Sequence, residues 1–319
     1  MEIQTQREEP AFVVVCDESD RDRWLEERRK LITASRAAAI LGVGSYDETP
    51  LSIWAELTGR VEREPFTPEQ LERFEHGHLF EDPIAELAAT REGWALERWQ
   101  QLIRSTRWPW LGATPDYRVY ASGRPGPGAL QVKTVGPFAD RAWEEGPPVD
   151  VVVQVQQELA VSGYQWGAIA ACFAFRRTVV FYVEAAPALH EEIVAGTARF
   201  LEDVRAGREP EPVKPIDLRH LVKLHPDDNG DTVDLSGLEN IAAREVELSG
   251  KLSEVRKAAR DLEAERDVLR AKLAARIGDA TFGEIPGFCR YSFKRSDRKE
   301  FTVAAKTLRT LRREKGGAK

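Results

Sequence analysis

The sequence predicts an α/β protein: a mixed sheet of about five strands flanked by helices, then a C-terminal helical appendage with a small β-hairpin. Two observations carry that expectation. Segments with apolar residues near 3.6 spacing are interleaved with short alternating or continuously apolar runs, and Gly/Pro clusters separate them. After about residue 208 the composition shifts to Pro, charge and turn residues. A length of 319 residues allows one large domain, or one domain with an appendage.

Trp24 to Ala39 reads as a helix, with an Arg/Glu face followed by Leu31-Ile32-Thr33-Ala34-Ser35. Pro50 to Gly59 is a short amphipathic helix closed by glycine. Pro68 to Glu92 is a long helix with apolar positions Leu71, Phe74, Leu79, Phe80, Ile84, Leu87 and Ala88. Trp94 to Thr106, Trp108 to Tyr120 and Ala129 to Val135 read as strands, the last two separated by the turn Gly123 to Gly128. Val149 to Gly163 is helical and stops on its glycine. Trp166 to Phe175 and Thr178 to Glu184 form a hairpin around Arg176-Arg177, and Pro187 to Ala206 is a further helix.

This divides the chain into a core at 1–208, a linker at 209–235, a coiled-coil or helical-hairpin segment at 236–278, and a basic hairpin plus helix at 279–319. The coiled-coil expectation rests on Leu248, Leu252, Val255, Ala259, Leu262, Leu269 and Leu273, in alternating 4/3 steps broken at Arg266. Phe282 to Phe293 reads as a hairpin around Pro286-Gly287, and Val303 to Lys315 as a basic helix.

No apolar run approaches the length of a membrane span, and no membrane partner is expected. Met1 to Pro10 is polar and acidic and predicts no secretory signal. Cys16, Cys172 and Cys289 are odd in number and widely spaced, which argues against a disulfide framework or a zinc site and for a cytoplasmic setting. Net charge is −7. From Asp279 onward, 11 Lys/Arg stand against 5 Asp/Glu, a net of +6; the remainder carries 35 against 48, or −13. A basic tail on an acidic body is compatible with local nucleic-acid contact, or with a solvated helix end.

The chemistry concentrates in Thr114-Pro115-Asp116 and Gln131-Val132-Lys133. Residues 131 and 133 share a strand face because the side-chain period is two. Asp116, residue 131 and the Val132 carbonyl can offer oxygens to Mg²⁺, and Lys133 can stabilise an attacking hydroxide or a pentavalent phosphorus. Glu81, from His76-Gly77-His78-Leu79-Phe80-Glu81, is a further acid, with Gly77 permitting close approach of a neighbouring backbone. Gln154 and Glu158 are four apart and share a helix face. Blander readings remain: Asp116 as a turn residue, Lys133 at a strand edge, Glu81 and Gln154 on a helix surface. His76 and His78, two apart on a helix, do not share a face, and Trp108 and Trp110 read as core.

Five motifs occur in an order that resembles the YqaJ-type viral recombinases, akin to the phage lambda exonuclease, within the PD-(D/E)XK (restriction-endonuclease-like) nuclease superfamily. They are Thr33-Ala34-Ser35; Gly77 with Glu81; Thr114-Pro115-Asp116; Gln131-Val132-Lys133, where the family has Glu-x-Lys; and Gln154-Val155-Gln156 with Ala160 to Gly163. The resemblance covers about residues 24–185. It implies a PD-(D/E)XK core and an exodeoxyribonuclease that uses Mg²⁺, for which Mn²⁺ can substitute, and resects linear double-stranded DNA ends 5′→3′ for a single-strand annealing partner. It implies that Arg28, Ser35 and Thr114 contact the DNA 5′-phosphate; otherwise Arg28 is a surface residue and Ser35 a helix cap. It also implies a homo-oligomeric ring, which the long C-terminal appendage puts in question.

Gln131 is the departure. An amide keeps the shape of a glutamate, loses its charge, binds a hard cation poorly and cannot act as a base. Three readings follow: an introduced Glu→Gln change, a carboxylate relocated to Glu158, or a natural DNA-binding or assembly protein that does not cleave. A structure-specific endonuclease is a further alternative.

Overall fold

The computed structural model describes residues 10–296, apart from 18, 46, 63, 64 and 138, and divides into two units, Met1–Pro226 and Asp227–Lys319. The first unit opens with β1 (Phe12–Asp17), α1 (Arg21–Arg29), β2 (Ile32–Thr33), α2 (Ala34–Ile40), α3 (Pro50–Leu57) and α4 (Pro68–Glu92). Four strands follow: β3 (Ala95–Arg98), β4 (Gln101–Ser105), β5 (Leu111–Ala113) and β6 (Tyr117–Tyr120). Next come β7 (Gly128–Val135), α5 (Val149–Ser162), β8 (Trp166–Phe173), β9 (Arg177–Glu184), α6 (Pro187–Ala206) and α7 (Asp217–Leu224).

The mixed sheet flanked by helices is as expected. Its five strands run β3-β6-β7-β8-β9, with β7 and β8 parallel and the other pairs antiparallel. All eight residues of β8 are buried, which suits a strand covered on both faces. Ile84, Ala85, Ala88 and Ala89 of α4 pack with Leu130 and Val132 on one face. Val155 and Leu159 of α5 pack with Ala129 and Ile169 on the other.

A second, four-stranded sheet, β1-β4-β5-β2, was not expected. Trp94 to Thr106 is not one strand but two, β3 and β4, paired in different sheets. Trp108 to Tyr120 likewise divides into β5 and β6. Alternation fixes a strand's period and not its partner, so sequence spacing could not separate them. The chain changes sheets at Trp99–Gln100 and again at Thr114–Asp116, where Trp99 N–H donates to the Asp116 carbonyl at 3.0 Å.

The expected helix from Trp24 to Ala39 is also broken. Buried Ile32 and Thr33 pair in parallel with Leu111 and Gly112, anchored by Ile32 N–H to the Trp110 carbonyl at 2.8 Å. The sheet covers only the C-terminal half of α4, so Leu71, Phe74 and Leu79 are exposed. A Cβ on Gly77 would meet nothing within 4 Å, so the close backbone approach expected there is not made by any described residue.

Residues 209–226, expected as the start of the linker, belong to the first unit. Asp217 of α7 is fully buried, accepts Thr49 Oγ1 at 2.5 Å, and accepts the N–H groups of Val213 and Lys214. Thr49 also caps α3, so one carboxylate ties two helices together.

In the second unit, α8 (Glu239–Ile277) is one continuous helix of 39 residues, which removes the helical-hairpin alternative. β10 (Phe282–Ile285) and β11 (Cys289–Ser292) pair as the expected hairpin. The basic helix expected at Val303 to Lys315 lies outside the described residues.

Candidate active site

Strand β7 sorts its side chains by alternation. Leu130 and Val132 face α4, and Ala129 faces α5. Gln131 and Lys133 share the α5 face, as the period-two argument requires. Pairing of β6 with β7 runs through Leu130, so beyond it the N–H of Val132 has no strand partner on that edge. Asp116, at the sheet switch, takes that place: its Oδ2 accepts Val132 N–H at 2.8 Å.

The same Oδ2 accepts Gln131 Nε2 at 2.5 Å. Gln154 Nε2 donates to Gln131 Oε1 at 2.7 Å and to Glu158 Oε1 at 3.1 Å, while Gln154 Oε1 accepts Lys133 Nζ at 2.9 Å. Asp116, Gln131, Lys133, Gln154 and Glu158 thus form one hydrogen-bonded network between β7 and α5. Asp116, Lys133 and Gln154 are half-buried, so the network opens to solvent on one side.

Glu158 closes the network from within. It is fully buried, and its Oε2 has no hydrogen-bond partner. Burial raises its pKa to about 8, the Asp116 charge adds to the rise, and Lys133 opposes it. Without a cation, burial therefore favours the protonated form of Glu158.

Glu81 comes from α4, on the opposite face of the sheet, and its Oε2 accepts Gln100 Nε2 at 3.0 Å. The neighbouring Asp82 accepts the Tyr117 hydroxyl and Arg98 Nη1. Burial and that carboxylate hold the Tyr117 hydroxyl well above the usual tyrosine range. Arg28 Nη2 donates to Ser35 Oγ at 3.0 Å, with Thr33 Oγ1 3.2 Å from the same oxygen. Arg28 also lies over the Trp24 ring at 4.7 Å. Ser35 is exposed and lies inside α2, whose N-cap is Thr33, so it is not a helix cap. Thr114 is half-buried just past β5.

Sequence reasoning missed Gln157. It is fully buried, and its Nε2 donates to the carbonyls of Ile32 at 2.8 Å and Gly112 at 2.9 Å, pinning α5 to the second sheet. The available signal was a polar run, Gln154 to Glu158, inside a valine-rich helix: three consecutive polar residues of that run, 156–158, are buried. Gln100, the partner of Glu81, carried no signal.

Among the described residues no three His, Cys, Asp or Glu side chains converge to hold a metal ion. The donors that do converge are the Asp116 and Glu158 carboxylates and the amide oxygens of residues 131 and 154. These are hard oxygens of the kind Mg²⁺ or Mn²⁺ takes, and the bare Glu158 Oε2 is a ligand atom without a partner.

Residues 23–165 match the YqaJ-like viral recombinase domain. The chain is 33% identical over 150 residues to the uncharacterized protein YqaJ of Bacillus subtilis (strain 168), a stretch that is 47% of this chain and 44% of that protein's length. The resemblance drawn from the motifs therefore holds over this segment. Among solved structures, the chain is similar to an alkaline exonuclease (LHK-Exo) from Laribacter hongkongensis at 20% identity and TM-score 0.45, covering 64% of this chain and 99% of that one. It is also similar to a phage related exonuclease from Haemophilus somnus 129PT at 14% identity and TM-score 0.40, covering 56% and 96%.

Proposed function

We propose that this chain is a divalent-cation-dependent exodeoxyribonuclease that resects linear double-stranded DNA 5′→3′. The observation that carries the reading is the single network of Asp116, Gln131, Lys133 and Gln154 on one face of the sheet. The YqaJ-like match and the alkaline exonuclease relative support it.

Mg²⁺, or Mn²⁺ in its place, would be held by Asp116 and the Val132 carbonyl with a further acidic ligand from the network; Glu81, on the opposite face and bonded to Gln100, is an expected ligand that the network leaves out. When bound, it lowers the pKa of a coordinated water and polarises the phosphoryl oxygens. Lys133 places an ammonium where negative charge develops on phosphorus, and Gln154 fixes that ammonium through its Oε1. Arg28, Ser35 and Thr114 would take the 5′-terminal phosphate, a guanidinium fork with hydroxyls being suited to that group. The product is a 3′ single strand for an annealing protein. The chain would act in the cytoplasm, as part of a homo-oligomer.

We place the core beyond the expected 208, at 1–226, because α7 packs into it, with 227–235 as linker, 236–278 as coiled coil and 279–319 as a basic end. A second reading, a DNA-binding or assembly protein that does not cleave, is favoured by one observation: Gln131 leaves fewer than three carboxylates in the site.

The test is digestion of linear duplex, labelled at either 5′ or 3′ ends, with Mg²⁺, Mn²⁺ or EDTA. Metal-dependent loss of the 5′ label first, with circular duplex untouched, is the expected result. Cutting of circular duplex would make it an endonuclease. DNA retention without product under any metal would establish the second reading.

A further inference from the structure

The Gln131 amide is satisfied twice, and one of the two bonds, the donation to Asp116, is one a carboxylate could not make. Its Nε2 donates to Asp116, and its oxygen accepts Gln154. A glutamate at 131 would set a second carboxylate against Asp116 at the distance of that bond. Gln131 therefore works as a neutral spacer that holds Asp116 in place. One α-helical turn beyond Gln154, Glu158 shows the opposite condition. Its carboxylate is fully buried, one oxygen is held by Gln154, and the other meets no partner. A buried, half-satisfied carboxylate costs stability unless something occupies its free oxygen.

The groups facing Glu158 come from every side of the pocket. Gln154 on α5 bonds Glu158, Lys133 on β7 bonds Gln154, and Gln131 links Gln154 to Asp116 at the sheet switch. A divalent cation between Asp116 and Glu158 would occupy the bare Glu158 oxygen.

We infer that the acidic ligand expected at position 131 has moved to Glu158, so that Asp116 and Glu158 bracket the divalent cation and Gln131 orients Asp116. This rests on the nuclease reading of the site and names which side chains hold its cation. Under it, the departure from Glu-x-Lys relocates the charge without disabling the site.

The experiment is Mn²⁺ binding to the full chain without DNA, followed by electron paramagnetic resonance and by the metal-induced rise in melting temperature, with DNA digestion in parallel. Glu158→Gln should weaken Mn²⁺ binding by at least about tenfold, remove the melting shift and abolish digestion. The double variant Gln131→Glu/Glu158→Gln should regain binding, because the charge returns to the other side of the same cation. That rescue also guards against a misfolded single variant, since a fold lost at 158 is not restored by a change at 131. Glu158→Gln that binds Mn²⁺ as tightly as the parent would overturn the relocation, whether or not DNA is cut. A parent that binds Mn²⁺ through Glu158 and digests no DNA would leave the relocation standing and overturn only the nuclease reading.

Discussion

Helices α5 and α8 invert the usual distribution of polarity. Of the 14 residues of α5, eight are buried, and they include Gln156, Gln157 and Glu158. None of the 39 residues of α8 is buried, and Leu252, Val255 and Leu262 are all more than half exposed. Burying an amide or a carboxylate is costly unless each has a designated partner, and most polar atoms on the buried face of α5 have one, Gln157 Oε1 and Glu158 Oε2 being exceptions. A long helix with no packed face has only its local bonds to hold it. Buried polarity on α5 thus reports a site, and exposed apolarity on α8 is a face left uncovered among the described residues.

The sharpest way to break this contrast is at the site. Lys133→Ala removes the one cation that Gln154 positions, and DNA digestion should fall by about 10²-fold or more, with the melting temperature little changed. Equal losses of stability and activity would place Lys133 in the framework instead.

A structural anchor of α5 should show the reverse pattern. Gln157→Ala strands the buried carbonyls of Ile32 and Gly112, and the loss in urea unfolding should be about 2–4 kcal/mol. A loss under about 1 kcal/mol would mean that β2 and β5 hold together without it.

Smaller is the pH effect. Without metal, the folded chain keeps a proton on Glu158 up to about 8, whereas the ordinary value of the unfolded carboxyl is 4.5. Between these values the folded state binds more protons, so this contribution is complete below about 4.5 and is lost as pH rises through about 8. The metal-free melting temperature should decline across that range, and Glu158→Gln should flatten the decline. An unchanged slope in the variant would assign the pH dependence elsewhere.

Least disruptive to the core is a change on α8. Leu262→Asp should alter the unfolding of the first unit by less than about 0.5 kcal/mol. If the heptad positions pair between copies, it should also lower the sedimenting mass of the full chain. A mass unmoved by the change would count against the coiled coil.

Much of this was legible in the sequence, for identifiable reasons. The bounds of α4 were readable because Thr67-Pro68 and Gly93 are strong stop signals at either end. Gly163 and Gly207 did the same for α5 and α6. The shared face of residues 131 and 133 followed from strand period alone. The second sheet was not legible: Ile32–Thr33 is too short to carry a period, and Trp99 and Asp116 mark changes of sheet that leave no trace in alternation. The exposed half of α4 misled because apolar spacing shows which residues could be covered, not where the sheet ends. Lys133 and Asp116 were found by residue type, but the twofold anchoring of Gln131 depends on distances that no spacing rule supplies.

The two crossings between sheets are joined by one bond, from Trp99 N–H to the Asp116 carbonyl. A sliding of one sheet past the other would pull on this link, and Asp116 would move with it. The carboxylate at the centre of the site is thus coupled mechanically to the alignment of the two sheets.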